Sequence, residues 1–99
     1  MTSVCPIQGI IEIISKKWVL QIFHSLTSGV DTFSGFQKAI IGINSRILSE
    51  RLVELENNGF IERKLVSDRP VKIKYFPTHK CHELVKEFDR IEALIRSWN

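Results

Sequence analysis

The chain has 99 residues, of which 43% are hydrophobic and 25% charged, and its formal net charge is +3. This profile is typical of one soluble globular domain and leaves no room for a second. No stretch approaches the ~20 apolar residues of a membrane-spanning helix, and the N-terminus lacks a signal-peptide pattern. Two cysteines, Cys5 and Cys81, are too few for a disulfide framework, so we expect a cytoplasmic protein with reduced thiols.

Two helices are predicted in the first third of the chain. Pro6 suits the first turn of a helix over about 4–14, because that position needs no N–H donor. Ser15 is a candidate N-cap for the second helix, whose apolar residues run from Trp18 to Leu26. In the first helix the apolar side chains recur at helical spacing: Val4, Ile7, Ile11 and Ile14.

A helix-turn-helix is predicted next. A short extended piece at 31–32 precedes a support helix over 33–41, capped by Thr32 or Ser34. Gly42-Ile43 then forms a turn, and Asn44 is a strong N-cap for a recognition helix over 44–58. One side of this helix carries the stripe Leu48, Leu52 and Leu55, with Ile47 beside it, and this stripe predicts the buried face.

The period then changes from helical to alternating, which predicts a β-hairpin. Its strands are expected over 60–66 and 71–76, with the turn composition Ser-Asp-Arg-Pro at 67–70 between them. Pro77 ends the second strand, and Thr78 can cap a last helix that reaches residue 98. Apolar residues of that helix form a heptad-like seam: Leu84, Phe88, Ile91, Ile95 and Trp98.

This order of elements predicts a mostly α fold with a small antiparallel hairpin (α+β), a winged helix-turn-helix. The helix-turn-helix would span 33–58, the wing 60–77 and the terminal helices 4–14 and 78–98, within one domain of residues 1–99. The two terminal helices carry wide apolar faces that a monomer would expose, so we predict a homodimer. Its interface residues would be Val4, Ile7, Ile11, Leu84, Phe88, Ile91, Ile95 and Trp98.

Six segments follow one another along the chain in a specific order and spacing: Cys5-Pro6, Lys17-Trp18, FSGF at 33–36, GINSRILSERL at 42–52, LENNGFIER at 55–63 and KYFPT at 74–78. With these segments, nearly the whole chain resembles the HxlR-type family of winged-helix transcriptional regulators, relatives of the MarR group. The resemblance implies a homodimer that binds double-stranded operator DNA, with the first and last helices building the dimer interface. The chain has Cys81 where the family usually has a glycine.

The recognition helix offers the candidates for reading DNA. With its leucines inward, a helix turns Arg46, Glu50 and Val53 outward and Ser49 to the flank. Arg46 lies in the first turn, where a guanidinium can bond both O6 and N7 of guanine. Alternatively, Arg46 simply pairs with Glu50 on the surface. Three further candidates are Ser45 and Ser49, which could meet phosphate or a base edge, and Asn44, which could do the same or act only as a cap.

Basic residues are concentrated between positions 63 and 80, where Asp68 is the only acid. Such a cluster predicts a polyanion partner, although a lysine-rich strand pair also protects sheet edges. Arg69 and Lys72 are the wing candidates for the minor groove or backbone. Lys17 could contact a phosphate, or be a solvated lysine beside Trp18. The bases are Arg63, Lys64, Arg69, Lys72, Lys74 and Lys80.

Cys5 precedes a predicted helix start, a position that favours a thiolate and a redox role, against the alternative of a small buried residue. His79, Cys81 and His82 match no structural zinc pattern, and we expect neither a metal site nor a cofactor. With no catalytic triad or phosphate loop, an enzyme is not expected. The sequence thus predicts a sequence-specific, dimeric DNA-binding regulator, a repressor on a pseudo-palindromic operator. The alternative is a winged-helix protein-interaction module, which the acids Glu50, Glu54 and Glu56 of the recognition helix favour and the basic wing opposes.

Overall fold

The computed structural model describes residues 6–98, which form helices α1 to α5 and one hairpin of strands β1 and β2. This order confirms the predicted α+β winged helix-turn-helix. The elements are α1 Pro6–Ile14, α2 Val19–Thr27, α3 Phe33–Ala39, α4 Ser45–Asn57, β1 Ile61–Asp68, β2 Val71–Pro77 and α5 His79–Ser97.

Three helices begin at predicted caps. The backbone N–H of Gly35 donates to Thr32 Oγ1 at 3.1 Å, and that of Ile47 donates to Asn44 Oδ1 at 2.8 Å. Thr78 accepts in the same way from the third residue that follows it, at 3.3 Å. Each bond satisfies a backbone donor that the first turn of a helix leaves free. Between α3 and α4 the chain turns at Gly42, whose φ of +95° favours glycine.

The predicted cap of α2 is wrong. Ser15 does not begin α2; its hydroxyl donates back to the carbonyl of Ile11 at 2.6 Å and so ends α1. The residue before α2 is Trp18, which has a φ of 80° and makes no side-chain cap bond. Trp18 therefore lies outside the helix in which we predicted it, although its half-buried ring still packs against the core.

The predicted extended piece at 31–32 does not form a strand. The sheet in residues 6–98 consists of β1 and β2 alone. A single backbone bond, from the N–H of Tyr75 to the carbonyl of Asp31 at 2.8 Å, joins this segment to β2. The hairpin pairs Ile61 with Pro77 at its base and Asp68 with Val71 near its tip. One extra residue in β1, between Leu65 and Ser67, interrupts the register as a β-bulge.

The core is built around α2, which is buried along one whole side. Phe23 lies at its centre, with its ring centroid 5.5 Å from that of Phe60 and 6.4 Å from that of Phe88. Burial of each large apolar side chain contributes roughly 1.5–3 kcal/mol. The buried core residues are Val19, Ile22, Phe23, Leu26, Phe36, Ile40, Leu48, Leu52, Leu55, Phe60, Ile61, Cys81 and Val85.

The last helix leaves the core halfway along its length. Val85 is buried and Phe88 half-buried, but every residue from Asp89 to Trp98 is exposed. In residues 6–98 no helix combines the length and the apolar character needed to cross a membrane.

Candidate nucleic-acid interface

The recognition helix α4 presents four different faces. Leu48, Leu52 and Leu55 are buried in the core, as predicted. The opposite face carries Arg46 and Glu50, both exposed. A face of α4 that points away from the core is the one available to a DNA groove.

Arg46 pairs with Glu50, its Nε 3.6 Å from Glu50 Oε2, and the Arg46 side chain is 84% exposed. An exposed i,i+4 pair of this kind contributes only about 0.3–0.5 kcal/mol. The surface pair that we considered as an alternative therefore exists, but it holds Arg46 weakly. Ser45, the first residue of α4, is exposed beside it, and Asn44 Oδ1 is occupied by its cap bond.

Ser49 lies on the flank of α4 that faces the wing. It lines a cleft of about 340 Å³, opposite Arg63 on β1 and Tyr75 on β2. Val53 lines the same cleft and is 52% exposed. The outward positions predicted for Arg46, Glu50 and Val53 are thus confirmed, and Val53 together with Ser49 borders the cleft against the wing.

The basic residues of the wing fall into two groups. Lys64 Nζ lies 3.6 Å from Glu62 Oε2, and Lys74 Nζ lies 3.3 Å from Asp31 Oδ2. Arg69 and Lys72 are exposed near the tip, and within residues 6–98 neither has an ion-pair partner. Arg63, near the base of β1, is also exposed and has no ion-pair partner within the described residues, so the positive charge available to a polyanion lies both at the hairpin tip and beside the cleft against α4.

Two other lysines of the predicted set behave differently. Lys17 is exposed, with its Nζ 4.9 Å from the Trp18 ring centroid. Lys80 donates to the carbonyl of Asn58 at 2.8 Å and lies 4.5 Å above the Phe60 ring. Lys80 thus stabilises the C-terminal end of α4 and does not contribute to the free charge of the wing.

Of the two cysteines, Cys81 lies within the described residues. Cys81 is fully buried, and this burial raises the pKa of its thiol to about 11, which keeps it protonated and unreactive. Val4 and Cys5 lie outside the described residues.

His79 Nε2 lies 3.6 Å from Glu83 Oε1. Among the side chains of the described segment, no three His, Cys, Asp or Glu groups converge as metal ligands would.

Sequence reasoning missed the residues on the fourth face of α4. Arg51 and Glu54 form an ion pair there and both contact the turn that links α1 to α2. The only sequence signal was their i,i+3 spacing, and many exposed helix pairs share that spacing.

Two helices joined by a tight turn and followed directly by a β-hairpin define a winged helix-turn-helix protein. The model of the HxlR-like helix-turn-helix family matches residues 13–99. The chain belongs to this family, and the resemblance drawn from the sequence is confirmed.

Proteins similar in sequence include two from Bacillus subtilis. YvaP, named an uncharacterized HTH-type transcriptional regulator, is 34% identical over 98% of this chain and 91% of its own length. YodB, named an HTH-type transcriptional regulator, is 33% identical over 92% of this chain and 82% of its own. The crystal structure of diamide-treated YodB has a TM-score of 0.81 and 31% identity, covering 97% of this chain and 96% of that one. A quinone-bound YodB structure has a TM-score of 0.80 and 28% identity, covering 95% and 99%.

Proposed function

We propose that this protein is a sequence-specific DNA-binding regulator that acts as a homodimer and represses transcription by occupying its operator. The observation that carries the proposal is the exposed outward face of α4, where a weakly paired Arg46 lies in the first helical turn. Arg69 and Lys72 at the wing tip, which have no ion-pair partner among residues 6–98, supply a second contact to the same duplex. The regulator names of YvaP and YodB support this assignment.

A homodimer accounts for the apolar side chains that the monomer leaves open. On α1, Ile7 is 69% exposed and Ile11 53%. On α5, Ile91 is 51% and Trp98 70% exposed. Two copies related by a two-fold axis would cover these faces and place two recognition helices about 34–36 Å apart, in successive major grooves of a pseudo-palindromic operator.

Fluorescence anisotropy on duplex DNA from upstream of the protein's own gene tests the proposal. A scrambled duplex of equal length serves as the control, and both are titrated over a salt series. A specific regulator binds the upstream duplex about 10³-fold or more tightly than the scrambled one, with an affinity that falls steeply with salt. Equal or absent binding at every salt concentration contradicts it.

The protein-interaction module loses its main support. That alternative was favoured by the acids of α4, but Glu50 pairs with Arg46 and Glu54 pairs with Lys16 and Arg51. Of those acids, Glu56 alone keeps an exposed carboxylate without an ion-pair partner in the described part of the chain. A recognition helix neutralised in this way does not repel phosphate as its composition suggests.

The proposal includes a thiol response through Cys5. This cysteine directly precedes Pro6, where α1 begins, and a helix N-terminus favours the reactive thiolate. The YodB structures with diamide treatment and with bound quinone support a search for such chemistry here. Modification next to a dimer-forming α1 would shift the spacing of the two recognition helices, provided that the two states differ in operator affinity.

Diamide treatment of two single variants tests the thiol response. Cys5→Ser should bind the operator normally and no longer respond to diamide, whereas Cys81→Ser, in which Cys5 remains, should still respond. The readout is operator affinity before and after treatment. A Cys5→Ser protein that responds like the wild type excludes Cys5 as the sensor.

A further inference from the structure

The turn between α1 and α2, residues 15–18, is held by side chains of the recognition helix. Lys16 Nζ forms an ion pair with Glu54 Oε2, and the other oxygen of Glu54 lies 3.4 Å from Arg51 Nη1. Arg51 also donates from Nε to the backbone carbonyl of Lys17 at 3.1 Å. We call Lys16, Arg51 and Glu54 the α4 brace.

The side chains of the brace are less exposed to water than those of the other ion pair of α4, Arg46–Glu50. The Arg51 side chain is 17% exposed and that of Glu54 31%, against 84% for Arg46. Charge-assisted bonds in such a partly buried position are stronger and less screened by salt than those on an open surface. The brace therefore restrains the two segments that it joins.

The braced turn has an unusual backbone conformation. Trp18 has a φ of 80°, a region that residues other than glycine adopt only when the surrounding structure holds them there. Its indole ring extends to the helix-turn-helix, where a Cβ added to Gly42 would lie 3.6 Å from Trp18 Cη2. The same short turn thus contacts both α4 and the turn that precedes α4.

The brace joins α4 to a helix that has few other attachments. No described residue of α1 beyond Pro6 is fully buried, and Ile10, Ile13 and Ile14 pack only partly against the core. The brace is also separate from the leucine face of α4 and from its exposed Arg46 face. Its specific effect is therefore to fix the direction of α4 relative to the end of α1.

We propose that Arg51 and Glu54 are positioning residues that determine which spacing between two DNA half-sites the dimer accepts. This inference rests on the proposed function, in which α1 contributes to the dimer interface. Adding one base pair moves a half-site by about 3.4 Å along the duplex and by about 35° around it. A dimer whose recognition helices are rigidly oriented binds half-sites at one spacing only. When the brace is loosened, the dimer also binds half-sites that lie one or two base pairs closer or farther apart.

The test compares Arg51→Met with Arg90→Met, which removes an i,i+3 arginine–glutamate pair from α5, where Arg90 Nη1 lies 3.6 Å from Glu87 Oε1. Anisotropy is measured on duplexes that carry the same half-sites one or two base pairs closer or farther apart. We expect Arg51→Met to reduce the preference for the best spacing by about 2- to 30-fold. Arg90→Met should keep the wild-type preference.

The two outcomes separate positioning from simple stabilisation. A purely structural loss at Arg51 weakens binding to every spacing by the same factor, and that result overturns the proposal. Should Arg51→Met fail to fold, by circular dichroism, Glu54→Gln replaces it, because this change keeps the size of the side chain and removes only its charge.

A double-mutant cycle tests whether the brace acts as a unit. Lys16→Gln and Glu54→Gln are measured singly and together for spacing preference. If they act through each other, the double variant loses no more preference than Glu54→Gln alone, because Lys16 acts only through Glu54, whereas independent residues give additive losses. Additivity overturns the pairing on which the inference depends.

If the wild-type protein prefers no duplex, the proposed function is wrong. The effect of the brace on the 15–18 turn can still be measured without DNA. Amide hydrogen exchange of residues 15–19 should be faster in Arg51→Met than in the wild type, and unchanged in Arg90→Met. Equal exchange in all three proteins means that Arg51 does not hold the turn.

Discussion

Asn44 caps α4 and also lies near the proposed DNA contact. Its side-chain oxygen accepts from the N–H of Ile47 at 2.8 Å and begins α4, while its exposed position places it near the proposed DNA contact. The cap explains its presence without any ligand. Any effect of its substitution on DNA binding must therefore be separated from an effect on the fold.

Substitution of Asn44 by alanine should lower the free energy of unfolding by about 1 kcal/mol, because the N–H of Ile47 loses its partner. Urea unfolding of the purified protein measures the change. Asn44→Ser keeps a capping oxygen and should stay within a few tenths of a kcal/mol of the wild type. An alanine variant with the wild-type midpoint would mean that the cap contributes nothing.

Cys81 predicts a pH dependence with a definite sign. Burial raises the pKa of this thiol to about 11, so the folded protein keeps its proton after the unfolded chain, whose thiol has a pKa near 9, has lost it. The stabilisation is complete below about pH 9 and is lost as pH rises through about 11. Urea unfolding of wild type and Cys81→Ala should therefore show a stability difference that changes in favour of Cys81→Ala over this range. A difference independent of pH contradicts the prediction.

The basic residues of the wing differ in whether an acidic side chain pairs with them. Lys64 and Lys74 are paired with acids, whereas Arg69 and Lys72 near the tip are not paired within residues 6–98. Alternating side chains place these residues along the hairpin, but the ion pairs decide which of them remain available. The element therefore presents two unpaired bases at its tip, in addition to the exposed Arg63 near its base.

Substitution of Arg69 or Lys72 by glutamine should reduce the slope of log affinity against log salt by about 1 for each phosphate that the variant no longer neutralises. The matched control is Lys64→Gln, which removes a lysine already paired with Glu62 and should leave the slope nearly unchanged. Anisotropy on the operator duplex at several salt concentrations measures it. Identical slopes for all three variants would remove the wing from the proposed DNA interface.

On the scale of the whole molecule, the question is what covers the terminal helices. Ile91, Leu94, Ile95 and Trp98 are each about half exposed or more on α5, at 51%, 53%, 49% and 70%. An apolar surface of this kind is uncommon on a soluble monomer and marks an interaction site. A second copy is the partner that we propose.

Ile91→Glu should give monomers or insoluble protein, because a carboxylate at the centre of the seam would be buried without a partner. Light scattering with size exclusion measures the mass. Lys86→Glu, on an exposed position of the same helix, is the matched control and should keep the mass of the wild type. A soluble Ile91→Glu dimer of unchanged mass would refute this interface.

Local signals were sufficient for the elements. The N-cap residues Thr32, Asn44 and Thr78 act within their own first turn, and the leucines of α4 follow the helical period. Ser15 failed as a cap because the same hydroxyl can serve either the helix before it or the helix after it. In the folded chain α2 begins only at Val19, too far along for Ser15 to cap it.

By itself, the sequence determined the order of the five helices and the hairpin, the caps of α3, α4 and α5, the buried face of α4 and the family. These features depend on residues within a few positions of each other, so the pattern is visible without coordinates. Only the tertiary structure decided the bond from Arg51 to the 15–18 turn, the use of Lys80 at the end of α4 and the burial of Cys81. The first two join residues 34 and 22 positions apart, and no local periodicity records such contacts.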